Sequence, residues 1–68
     1  MRVLLNGETA ELAEGATVQA AVDSLELPAS GRGLAVAVDA EVVPRTEWNQ
    51  HELQEGARVE VLRAIQGG

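Results

Sequence analysis

Thr17-Val18-Gln19-Ala20-Ala21-Val22-Asp23-Ser24-Leu25 is the stretch of this chain with a helical period. Val18, Ala21, Val22 and Leu25 fall at i, i+3, i+4 and i+7, which places them on one helix face. Thr17 is a suitable N-cap, because its hydroxyl can accept from a free backbone N–H of the first turn. Pro28 stops the helix, since proline lacks an N–H and disfavours helix at the residue before it. Ala29-Ser30-Gly31-Arg32-Gly33 then reads as loop.

On either side of this helix the apolar residues follow strand patterns. Arg2-Val3-Leu4-Leu5 is an apolar strand, and Glu8-Thr9-Ala10-Glu11-Leu12 returns beside it. Asn6-Gly7 between them is a strong hairpin signal, because both central positions of a type I′ turn need positive φ. Leu34 to Asp39 alternates large and small residues, with Leu34, Val36 and Val38 expected to face the helix. Asp39-Ala40 turns the chain into a short strand, Glu41-Val42-Val43, ended by Pro44. Residues 45–56 read as irregular, with one helical turn near Trp48 and a turn at Glu55-Gly56. Arg58 to Arg63 is the last strand.

One helix covers only one face of such a sheet. The connections are most economical if the first and last strands pair in parallel at the centre. The expected fold is therefore α+β: a β-grasp with a mixed sheet of four to five strands and one main helix on one face. The sequence divides into a domain, residues 1–63, and a flexible tail, residues 64–68.

Composition narrows the possible functions. A chain of 68 residues is one small domain, with little room for a deep catalytic cleft. There are no cysteines, so there is no disulfide, no cysteine-ligated zinc and no thiol nucleophile. A net charge of -6, with five arginines and no lysine, argues against nucleic acid as a partner and suits either basic partner surfaces or solubility alone. No apolar run approaches the ~20 residues of a membrane span. No signal peptide is evident, and the expected compartment is the cytoplasm.

Few side chains are candidates for chemistry. His51, the only histidine, sits in the polar stretch Asn49-Gln50-His51-Glu52 and reads as a surface residue rather than a base or metal ligand. No metal site and no cofactor is expected. Gly31-Arg32-Gly33 lacks the Gly-Lys-Ser/Thr of a phosphate loop. Trp48, the only aromatic residue, reads as an anchor of the irregular segment in preference to a partner hot spot. If Val59 and Val61 face the helix, Leu62 faces out, and Leu4 and Ala37 share that open face. Leu4, Leu62 and Ile65 are the candidate partner interface.

The Gly67-Gly68 ending stands apart. A free carboxylate is ionised at neutral pH and is a poor electrophile. Joining AMP to it creates an acyl group with a good leaving group. Glycine has no Cβ, so such an end can thread a narrow channel that excludes water. Five tail residues reach at most ~17 Å, which lets the domain dock outside while its end reacts inside. With no cysteine in the chain, any sulfur must come from a separate donor.

These motifs together resemble the ThiS family of sulfur carriers in thiamine biosynthesis, which are ubiquitin-like β-grasp proteins. The resemblance covers nearly the whole chain. It rests on Val3-Leu4-Leu5-Asn6-Gly7, on Val42-Val43-Pro44-Arg45 followed by Trp48, on Leu53-x-x-Gly56-x-x-Val59-Glu60-Val61, and on Ala64-Ile65-x-Gly67-Gly68. Ala57 stands where the family commonly has Asp, and Gln66 where a third Gly is frequent. The resemblance implies a carrier that is not itself an enzyme. An E1-like adenylating enzyme would use ATP to activate Gly68, with Gly67 its required neighbour. Gly68 would then carry sulfur as a thiocarboxylate to thiazole synthase. Two alternatives stay open from sequence. One is the small subunit of molybdopterin synthase, which shares fold and ending; the other is a β-grasp binding module whose glycines are incidental.

Overall fold

The computed structural model describes residues 1–26 and 33–63. Strand β1 (Arg2–Leu5) is followed by β2 (Glu8–Glu11), helix α1 (Val18–Ser24), β3 (Leu34–Val38) and β4 (Glu41–Val43). A 3-10 turn (Arg45–Glu47) and β5 (Arg58–Arg63) complete the order. The five strands form one sheet in the order β2-β1-β5-β3-β4. β1 and β5 are adjacent and parallel, with Leu4 opposite Arg58 and Leu5 opposite Val59. All other pairs are antiparallel. This is the mixed sheet and single helix expected of a β-grasp.

Local sequence explains the elements. Asn6 and Gly7 have φ of 52° and 83°, as a type I′ turn requires. The β3–β4 hairpin uses the same geometry at Asp39 and Ala40, with φ of 49° and 72°. Thr17 caps the helix, its hydroxyl accepting from the Ala20 N–H at 3.3 Å. The helix ends at Ser24, so Leu25 occupies the C-cap and is half-buried rather than fully enclosed. Pro28 and the loop read at residues 29–33 lie outside the described residues except for Gly33.

One face of the sheet carries the core. Val3 and Leu5 of β1, Val36 and Val38 of β3, Val43 of β4, and Val59 and Val61 of β5 are buried with Val18, Ala21 and Val22 of the helix. Each strand contributes alternate residues, as the pleat dictates. Trp48, Leu53 and Ala57 complete the cluster.

Trp48 is core, with 1% of its surface exposed. Its indole Nε1 donates to the Val43 carbonyl at 2.9 Å, which satisfies the buried N–H. The segment around it also closes the helix N-terminus. The Gln19 N–H donates to the Trp48 carbonyl, and the Val18 N–H to the His51 carbonyl. The otherwise unpartnered donors of the first turn are thus taken up by residues 48–51 and by Thr17.

Candidate functional site

β5 is central, hydrogen-bonded to β1 on one side and β3 on the other. Whatever follows Arg63 therefore starts from the best-anchored strand of the sheet. Asn6 adds a further tie. The chain turns away after Leu5, and the Asn6 side-chain Oδ1 accepts from the Val61 N–H at 2.8 Å. This continues the β1–β5 ladder past the last backbone bond, from the Asn6 N–H to the Val59 carbonyl. Asp39 does the same on the other flank: its N–H donates to the Arg58 carbonyl and its Oδ1 accepts from the Arg58 N–H.

The sheet face opposite the helix has no covering layer among the described residues. Register places Leu4, Arg58, Glu60 and Leu62, with Ala35, Ala37 and Val42, on this face. Leu62 is 63% exposed and Val42 76% exposed. Ala35 lies opposite Leu62, and Ala37 lies between Glu60 and Val42. Leu4 shares the face but is half-buried, and Arg58 and Glu60 separate it from Leu62. The sequence reading of Leu4, Leu62 and Ala37 as one face agrees with this arrangement. Val42 was missed as a member of it. The two-residue turn at Asp39-Ala40 sets Val42 opposite Ala37, and that turn was the available signal.

A shallow notch of about 340 Å³ opens at the Leu4 end of this face, lined by Leu4, Asp39, Ala40, Gly56, Arg58 and Glu60. His51 is half-buried and lines a second, polar notch with Glu47 and Gln50. Its backbone carries structural bonds at both ends, from its N–H to the Glu47 carbonyl and from its carbonyl to the Val18 N–H. Among the described residues no group of three or more His, Cys, Asp or Glu could hold a metal ion. No helix there is long and apolar enough to cross a membrane. Ile65, Gly67 and Gly68, the remaining candidates from sequence, lie outside the described residues.

Residues 3–68 match the model of the ThiS family. The chain is 32% identical over 68 residues to the sulfur carrier protein ThiS of Escherichia coli K12, and all of both chains is covered. Among solved structures it resembles the thiamine biosynthesis protein (ThiS) of Geobacter metallireducens, with a TM-score of 0.81, 26% identity and full coverage of both chains.

Proposed function

The chain belongs to the ThiS family, and from that premise we propose that it is a sulfur carrier of thiamine biosynthesis, a co-substrate rather than a catalyst. The observation that carries this reading is the family match running through Gly67 and Gly68. The fold supports it, because the strand that leads to those glycines is the central one.

The chemistry falls on the Gly68 carboxylate. In an E1-like adenylating enzyme a carboxylate oxygen attacks the α-phosphate of ATP, and pyrophosphate leaves. A sulfur nucleophile from a separate donor then attacks the acyl carbon. A C–S bond forms, the C–O bond to AMP breaks, and AMP departs. With a persulfide donor the product is an acyl disulfide. A second thiol attacks the donor-side sulfur, the S–S bond breaks and a disulfide forms on the donor side. Gly68 is left with a thiocarboxylate that supplies sulfur to thiazole synthase. Gly67 contributes the lack of a side chain that a narrow channel needs. Residues 1–63 are the docking body and 64–68 the reactive tail. Leu4, Leu62 and Ile65 form the contact with the partners, and the pathway runs in the cytoplasm.

Deletion of Gly68 abolishes sulfur loading and leaves the fold intact. The new carboxylate is set back by ~3.3–3.6 Å, and a misplacement of ~1 Å can cost 100-fold in a positioned reaction. The check is intact-mass measurement after incubation with the activating enzyme, ATP and a sulfur donor, following replacement of one oxygen by sulfur. Sulfur uptake at the parental rate by the deletion variant overturns the carrier mechanism.

A further inference from the structure

We infer that this chain is an acyl donor with no stable side-chain acceptor of its own: once Gly68 is activated, no side chain of the same copy or of a second copy holds it in a lasting bond, and the α-amino group of the same copy does not reach it. The inference rests on the carrier reading above. An activated acyl carbon is open to amines as well as to sulfur. The amine lone pair forms a C–N bond, the bond to the leaving group breaks, a proton passes to solvent, and a stable amide remains. A carrier lost in that way no longer delivers sulfur.

The chain withholds the reactive nucleophiles. All five of its Lys/Arg residues are arginine, and a guanidinium stays protonated and holds no free lone pair for attack. There is no cysteine thiol. The one imidazole, His51, would give only a labile acyl-imidazole that water hydrolyses. In a chain that starts at Met1, the remaining amine is the Met1 α-amino group. It donates to the Leu12 carbonyl at 2.8 Å and lies 3.7 Å from a Glu11 carboxylate oxygen and 3.5 Å from one of Glu14.

Topology keeps that amine from the tail of the same copy. β1 and β5 run in the same direction with Leu4 opposite Arg58. Met1 lies three residues before Leu4, and Arg63 lies five residues beyond Arg58. Eight steps at ~3.3 Å put the two ends about 26 Å apart along the strands. Five tail residues span at most ~17 Å. The parallel pairing that places β5 at the centre thus also prevents the tail from closing on its own amino end.

The test uses the full chain prepared as a Gly68 thioester by chemical ligation methods, without any activating enzyme. Capture by added free cysteine establishes that the thioester is reactive. At high protein concentration and mildly alkaline pH, intact mass then follows three products: the hydrolysed acid, a circular chain and a covalent dimer. For the parent we expect hydrolysis, with no circular chain and no dimer linked through a side chain. A variant with all five arginines changed to lysine, and the single exposed-site variant Thr46→Lys, should both form covalent dimers. Thr46→Lys guards against misfolding of the multiple variant. A circular parent product, or a parent dimer linked through a side chain, overturns the inference, as does the absence of dimer from folded Thr46→Lys. Because no activating enzyme takes part, the outcome is independent of whether sulfur loading succeeds.

Discussion

Asn6 shows what a single residue contributes at two ranges. Its backbone adopts positive φ for the hairpin turn, and its side chain accepts from Val61, 55 residues later. The first role is legible in the Asn-Gly pair. The second is not, because it depends on the register of β1 against β5, which no local pattern encodes. Two substitutions separate the roles. Asn6→Gly keeps the turn but leaves the Val61 N–H without its partner, and should cost ~1–3 kcal/mol. Asn6→Ala adds the strain of a left-handed L-residue, a further ~1–2 kcal/mol. Urea unfolding of both variants measures the difference. Parental stability in Asn6→Gly would remove the side-chain bond from the account, and equal stability of the two variants would remove the strain. Ala40, at φ 72°, holds a similar conformation without glycine or asparagine, so sequence marks a turn there but not its strain.

At the level of elements, the helix and strands were readable because their apolar periods are regular, at Val18, Ala21 and Val22 on one side and Val59 and Val61 on the other. In the segment that joins β4 to β5, the helical turn near Trp48, the turn at Glu55-Gly56 and the anchoring tryptophan were readable, but the bonds to the helix were not. The segment's task is non-local: it caps the helix through the Trp48 and His51 carbonyls and fills the core with Trp48. Neither hydrogen bonds to a distant helix nor burial of one side chain leaves a periodic trace. Trp48→Ala should cost ~3–5 kcal/mol from the lost packing. That is a large share of the ~5–15 kcal/mol typical of a folded domain. Trp48→Phe keeps an aromatic ring but leaves the Val43 carbonyl without the indole N–H, and should fall between parent and alanine. Thermal unfolding followed by circular dichroism ranks the three proteins. An alanine variant as stable as the parent would show that the segment does not depend on its tryptophan.

For the molecule as a whole, the layered arrangement decides which surface remains for a partner. One helix covers one face, and the other keeps Leu62 and Val42 in solvent. That face was legible from strand alternation, apart from Val42. The terminal glycines were legible as a motif, since the role proposed for them rests on the covalent chemistry of an unhindered carboxylate and not on packing. Leu62→Asp adds a charge where the side chain is already solvent-exposed, so the fold should survive. Binding to the proposed partners, an activating enzyme and thiazole synthase, should weaken by ~1 kcal/mol or more, because the contact would bury an unpaired carboxylate. Calorimetric titration with each partner, beside a circular dichroism spectrum, provides the check. Unchanged affinity for both would take Leu62 out of the interface.

The parallel pairing of β1 with β5 also gives the molecule a mechanical character. Tension applied between Met1 and Arg63 pulls two neighbouring strands past each other, with β3 holding the far side of β5. Their hydrogen bonds then bear the load together in shear instead of opening one after another. An enzyme that draws the tail into its channel would pull against the stiffest direction of the sheet. Single-molecule stretching should therefore need more force between Met1 and Arg63 than between Met1 and Glu11, where the β1–β2 hairpin can unzip. Equal forces along the two axes would mean that the central pair does not carry the strain.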